Sequence, residues 1–198
     1  RLLVVTGVQT CALPIFVINL FLGKKHPVIA MEGGWGVGKT RLIPLLCEIA
    51  HGDRAGDGFY VTDSMSRGAR TIAPEMSALL APLGWQFKSF FHGTPAPHWT
   101  SPKHPEYGHR TRVWVLSWKR PSTKSRAANS LEGPDCGWGV ADECNQFSDP
   151  EIATAMLGRV RSGSPGRIIL LGKQSANCWW RRSEERRVGK EGSSRWVP

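Results

Sequence analysis

The chain has 198 residues, with 26 Lys and Arg against 16 Asp and Glu, for a formal charge of +10. Hydrophobic residues make up 40% and charged residues 21%, the balance of a globular domain and not of collagen, a coiled coil or a disordered chain. No run of about 18 apolar residues offers a membrane-spanning helix, and five cysteines without paired C-x-x-C spacing indicate neither a zinc ribbon nor a disulfide framework.

In chain order, Val28–Met31 is a short apolar run that meets a turn at Glu32-Gly33-Gly34, which predicts a strand. From Lys39 the spacing of Leu42, Ile43, Leu45, Leu46 and Ile49 predicts a helix ending near Gly52. Phe59–Val61 reads as a second strand, and Ile72, Met76, Leu79 and Leu80 mark a helix stopped by Pro82 or Gly84. Trp85–Phe90 partly alternates as a strand does, and residues 92–110, rich in Pro, His, Gly and Ser, read as a long loop. Arg112–Trp118 is a strong strand, and 119–135 are mostly polar and basic. Gly137–Ala141 is an apolar strand ending in Asp142-Glu143. Asp149-Pro150 opens a helix, cap then proline, that continues to Val160, and Arg167–Gly172 is a last buried strand. Strands alternating with helices predict an α/β fold with a largely parallel sheet flanked by helices.

The run Gly33-Gly34-Trp35-Gly36-Val37-Gly38-Lys39-Thr40 fits G-x-x-x-x-G-K-[ST]. Glycines let successive backbone N–H groups turn inward onto phosphate oxygens, and the helix that follows offers its N-terminus to the same anion. Lys39 then supplies a point charge for the β and γ phosphates, and the Thr40 hydroxyl is a ligand for Mg²⁺. This predicts a P-loop NTPase that binds ATP with Mg²⁺. Downstream, Asp142 at a strand end is placed to hold the same Mg²⁺, and Glu143 to orient or deprotonate an attacking water. A glutamate beside the metal-binding aspartate points to hydrolysis.

These motifs resemble the ATPase domain of the large terminase subunit, the motor that packages DNA into tailed-bacteriophage heads. The phosphate loop is similar to the family's G-G-R-G-S-G-K-T, and Val140-Ala141-Asp142-Glu143 to its acidic strand end. Tyr60–Asp63, Pro74–Leu80 and Leu83–Trp85 resemble the strand and helix after the loop. Gly158–Gly163, Ile168–Ser175 and Asn177–Trp180 resemble a helix ending in R-x-R-S-G, a strand ending in a coupling motif, and N-x-W-[WF]. Trp35 stands where the family often has Arg, and Gly172–Ser175 matches the coupling motif loosely.

The resemblance implies γ-phosphate sensing by Gln174. It also implies an arginine finger acting on a neighbouring subunit, Arg126, with Arg67, Arg159 and Arg161 as competitors. It implies double-stranded DNA, a portal protein and a small terminase subunit as partners, a homo-oligomeric ring, and work in the cytoplasm of a bacterial host. Another P-loop motor such as a helicase, or an ATP-binding assembly module without turnover, are the rival readings.

Arg110, Arg112, Lys119, Arg120, Lys124 and Arg126 form a basic stretch able to track DNA phosphates, though such runs are more often a solvated face. His92, His98, His104 and His109 match no common zinc spacing and read as unrelated loop histidines. Trp114, Trp118 and Trp138 lie in apolar strands and read as core.

The ends read differently. Arg182–Glu191 and Val5–Ile15 resemble translated sequencing adapters. Residues 1–15 and 182–198 are therefore expected to lie outside the α/β core, leaving 16–181 as the ATPase domain of a chain that naturally continues past Trp180 into a nuclease domain.

Overall fold

The structure, a computed structural model, describes residues 2–6, 12–23, 25–33, 38–64, 67–88, 97–118, 131, 134–144, 147, 151–161 and 167–173. Among the described residues, eight strands form one sheet: β1 (Leu2–Thr6), β2 (Val28–Glu32), β3 (Gly58–Thr62), β4 (Gln86–Lys88), β5 (His98–Thr100), β6 (Arg112–Ser117), β7 (Trp138–Ala141) and β8 (Arg167–Gly172). Their spatial order is β1-β2-β8-β7-β3-β6-β5-β4. The first six strands in that order run parallel, and β5 and β4 complete the far edge antiparallel. The helices are α1 (Ala12–Gly23), α2 (Lys39–Gly52), α3 (Ala73–Leu80) and α4 (Glu151–Arg159), with a π-helical turn over Gly68–Ile72 leading into α3.

The central strands are buried on both faces, so they read as continuous apolar runs and not as alternation. Alternate residues nevertheless serve different cores. Ile29, Met31, Tyr60, Ile169 and Leu171 pack with α1, α2 and α3, while Val28, Ala30, Phe59, Val61, Ile168 and Leu170 pack with Ile152 and Met156 of α4. Trp114, Trp118 and Trp138 are buried as expected.

Register is fixed by fit. In the parallel pair β3–β7, Phe59 lies opposite Gly139 and Gly58 opposite Trp138. A Cβ on Gly139 would stand 2.2 Å from Phe59 Cζ, and one on Gly58 2.2 Å from Trp138 Cε2. Each ring fills the space the facing glycine leaves. A one-residue slip would set Phe59 against Trp138 in one direction and glycine against glycine in the other, and either would exchange the two faces of the strand.

Three expectations are corrected. The loop expected over 92–110 contains β5, which pairs with β4 and β6 although its three residues carry no strand signal of their own. The helix after β3 begins before Ile72: the Ser64 hydroxyl accepts the Arg67 N–H at 3.3 Å, as an N-cap does, and the π turn follows. Pro74, with no N–H to give back to the preceding turn, falls where that wider turn meets α3.

The third correction concerns residues 1–15. Leu2–Thr6 pairs in register with Val28–Glu32, and Ala12 opens α1. An apolar, β-branched run adds readily to an unpaired sheet edge, whatever its origin. Residues 182–198 lie outside the described residues.

Candidate active site

The parallel strands end on one edge of the sheet. Glu32 is level with Gly172, Leu170 with Ala141, and Ala141 with Val61. The next residues along, Gly33, Lys173, Asp142 and Thr62-Asp63, therefore converge beyond the carboxyl ends of four adjacent strands. In open α/β sheets ligands bind there.

Gly38 lies at φ +78, a left-handed conformation that glycine adopts without strain, and it turns the chain into α2. The first turn of α2 carries Lys39 and Thr40. The Lys39 ammonium donates to the Gly33 carbonyl at 2.8 Å, and the Gly33 N–H donates to the Gly172 carbonyl at 3.1 Å. The Thr40 hydroxyl donates to Asp142 Oδ2 at 3.0 Å, while Asp142 Oδ1 accepts the Glu143 N–H at 2.7 Å. Glu143 is held at φ +50, left-handed for a residue with a Cβ, at a cost on the order of 1 kcal/mol or more. Its carboxylate accepts from the Arg67 guanidinium and stands 4.0 Å from Lys173 Nζ. Arg67 also faces Asp63 at 3.6 Å.

Thr40, Asp63, Arg67, Asp142 and Glu143 border a cavity of about 260 Å³. One wall is Thr40, Asp142 and Glu143; the other is Arg67, Thr71 and Glu75 from the helical segment after β3. Tyr60 and Phe147 contribute apolar surface.

Electrostatics follows from burial. Desolvation raises the Asp142 carboxyl pKa against the donors from Glu143 and Thr40. Desolvation also lowers the Lys39 pKa, opposed by the nearby Asp142 charge. Burial, reinforced by Asp142, pushes the Tyr60 phenol well up, so it stays protonated. The hydrogen bond to Glu143 raises the Arg67 pKa further. The site is thus a set of partly desolvated charges in mutual contact.

Mg²⁺ takes hard oxygen ligands, keeps several waters and needs only one or two protein groups beside phosphates. The Thr40 hydroxyl and Asp142 carboxylate, 3.0 Å apart at the cavity wall, fit that requirement.

Of the residues singled out in the sequence, Gly33, Gly38, Lys39, Thr40, Asp142 and Glu143 meet here. Gly34, Trp35, Gly36, Val37, Gln174 and Arg126 lie outside the described residues, as do Lys119, Arg120 and Lys124 of the basic stretch. Arg110 donates to the Ser101 carbonyl at 2.8 Å, and the Arg112 guanidinium lies 6.0 Å from the Trp114 ring. Asp63 and Lys173 join the site without a role expected of them from sequence. Asp63 is a lone acid directly after a buried strand, a signal comparable to that of Asp142. Lys173 directly follows β8 in the same way. Arg67 is expected only as a rival arginine finger, since nothing local marks it as a partner of Glu143.

The sequence matches no protein-family model and no curated protein. Solved structures do match in fold. The large terminase of a thermophilic bacteriophage superposes with a TM-score of 0.59 at 13% identity, over 84% of this chain and 39% of that one. A structure of the same phage enzyme in complex with ADP gives 0.54 at 14% identity, over 76% and 34%. A mutant of the Thermus phage P74-26 large terminase ATPase domain gives 0.51 at 11% identity, over 83% and 67%. The chain thus spans about two fifths of the length of the first of these proteins. The likeness is one of fold: a largely parallel α/β sheet flanked by helices, shared with these large terminase structures.

Proposed function

We propose that this chain is the ATP-hydrolysing domain of a phage DNA-packaging motor of the large terminase type. The observation that carries the reading is the alignment of Lys39, Thr40, Asp142 and Glu143 along one sheet edge, beside a cavity, in a fold shared with terminase ATPases.

Lys39 binds the β and γ phosphates of ATP, and the Gly33–Thr40 loop with the α2 N-terminus holds the rest of the anion. To do so the Lys39 ammonium exchanges the Gly33 carbonyl for phosphate oxygens. Thr40 and Asp142 hold Mg²⁺, which when bound offsets phosphate charge. Glu143 orients the water and takes its proton as it attacks the γ phosphorus, breaking the bond to the bridging oxygen and leaving ADP and phosphate. An amide at position 143 cannot take that proton, so Glu143→Gln separates binding from hydrolysis. Measured phosphate release by the chain, and its loss in that variant, tests the reading.

Within the same proposal Gln174 senses the γ phosphate and Arg126 reaches a neighbouring subunit's site, where a guanidinium stabilises transition-state charge. Arg126 falls in a basic stretch between β6 and β7, a connection that begins near the sheet edge bearing the site. The motor works as a homo-oligomeric ring with a portal protein and a small terminase subunit. Its track is duplex DNA, and the excess of basic residues suits a polyanion.

A further inference from the structure

The connection between β5 and β6, residues 101–111, lies at the sheet edge opposite the candidate site, against the last turn of α2. Its stem is tied: the Ser101 N–H donates to the Thr111 carbonyl at 2.9 Å, the Thr111 N–H to Ser101 Oγ at 2.8 Å, and the Arg110 guanidinium to the Ser101 carbonyl at 2.8 Å. Three histidines seat the loop on α2. The His51 ring, from α2, stands 5.3 Å from His104 and 5.1 Å from His109, and those two loop rings stand 5.1 Å apart. His109 Nε2 donates to the His51 carbonyl at 3.1 Å. His104 Nδ1 accepts the N–H groups of Glu106 and Tyr107, each at 3.3 Å. His51 Nδ1 meets the hydroxyls of Thr111 at 3.1 Å and Ser101 at 3.4 Å.

This arrangement belongs to neutral histidines. A ring nitrogen that accepts two N–H groups has no place for a proton of its own, so a proton on His104 Nδ1 breaks the turn that begins there. An imidazolium at His51 finds only uncharged hydroxyls at Nδ1, and the carboxylate that acts on it, Glu48, already accepts from Trp85 Nε1. Burial lowers the His51 pKa, His109 and His104 add to the effect, and Glu48 opposes it. The other charges around the cluster are mostly positive. The Arg54 guanidinium lies 4.7 Å from the Tyr107 ring, which stacks on His104 at 4.8 Å, and the loop itself carries Lys103 and Arg110. Of the acids there, Asp53 faces Arg167 at 3.7 Å and Glu106 is exposed. We propose that residues 101–111 form an acid-released clasp: neutral His51, His104 and His109 seat the loop on α2, and protons taken up by these rings unseat it while the sheet stays folded. The clasp does not depend on the assignment of the nucleotide site.

The test is amide hydrogen exchange of the 198-residue chain, read by mass spectrometry on peptides from 101–111 and from β2, β3 and β8, and corrected for the intrinsic pH dependence of exchange. The two conditions are about pH 7.5 and about pH 5.5, a window that reads histidine because free carboxylates titrate near about pH 4. Protection over 101–111 falls by at least about tenfold across the window, the ratio for one proton taken up on opening. At the lower pH the β2, β3 and β8 peptides remain protected while the loop exchanges. His104→Asn keeps an acceptor for the same two N–H groups and takes no proton, so the fall is smaller. The triple variant His51→Gln, His104→Asn, His109→Gln leaves no imidazole in the cluster, and its loop shows equal protection at the two pH values.

Equal protection of the parent loop at the two pH values overturns the clasp. So does a fall as large in His104→Asn as in the parent, or one that persists in the triple variant, since the protons then bind elsewhere. Loss of protection in β2, β3 and β8 together with the loop overturns it as well, because acid then unfolds the chain and releases no loop. If the triple variant lacks protection already at the higher pH, the comparison of His104→Asn with the parent decides.

Discussion

The Thr40 hydroxyl donates to the Asp142 carboxylate at 3.0 Å, joining the first turn of α2 to the end of β7 across 102 residues of sequence. It is the contact by which two separate sequence motifs become one site. Valine at position 40 keeps the shape and removes the donor. A buried acceptor that loses its partner costs about 1–3 kcal/mol. Thr40→Val is expected to weaken binding of ATP in the presence of Mg²⁺ by about tenfold or more. Binding with the metal chelated changes less, and a titration with and without EDTA reads the difference.

Lys39→Ala removes the ammonium that donates to the Gly33 carbonyl. Lys39 is only half-buried and stands apart from the apolar core, so the variant is expected to fold. Its ATP affinity falls by at least about tenfold, the order of one charge-assisted contact to phosphate. Equilibrium binding of a fluorescent ATP analogue checks this, with circular dichroism confirming the fold.

Gly139 faces the Phe59 ring with no room for a methyl group, the Cβ position being 2.2 Å from Cζ. Gly139→Ala is expected to destabilise the chain by about 1–3 kcal/mol through overpacking. Because β3 and β7 carry Asp63 and Asp142 at their ends, nucleotide affinity falls in the same variant. Phe59→Leu added to it recovers part of the loss. Urea denaturation of the two variants reads the stability change, and nucleotide titration the affinity.

His51 lies in the last turn of α2 with its ring buried, Nδ1 3.1 Å from Thr111 Oγ1, and the His104 and His109 rings at 5.3 and 5.1 Å. Burial lowers its pKa, His109 and His104 act in the same sense, and Glu48 opposes them. The unfolded chain therefore binds this proton more tightly than the folded one. Stability is full above a free histidine's pKa of about 6.5 and falls as pH drops from there toward the folded value. The melting temperature is expected to decrease between pH 7.5 and about pH 5.5. Whatever its effect at about pH 7.5, His51→Gln is expected to flatten that decrease.

The strands β2, β3, β6 and β8 are legible because a strand buried on both faces has to be a continuous apolar run. Helix α2 is legible from its helical spacing. β5 is not, because its His-Trp-Thr sequence becomes a strand only by pairing with β4 and β6. The same limit applies at the site. Lys39, Thr40, Asp142 and Glu143 announce themselves because phosphate and metal chemistry needs those types at fixed local spacing. Arg67 meets Glu143 only through the tertiary fold, and no spacing encodes that. His104 and His109 read as unrelated loop residues until the chain stacks them, 9° apart in plane, beside His51.

The central claim is that Glu143, beside Asp142 at the end of β7, is the base for ATP hydrolysis. Phosphate release from MgATP by the parent chain and by Glu143→Gln, with ATP affinity measured on the same samples, tests it most directly. The expected result is unchanged affinity with hydrolysis lower by about 10²–10⁴-fold, the usual contribution of a positioned general base. Equal hydrolysis by the two chains would contradict the account.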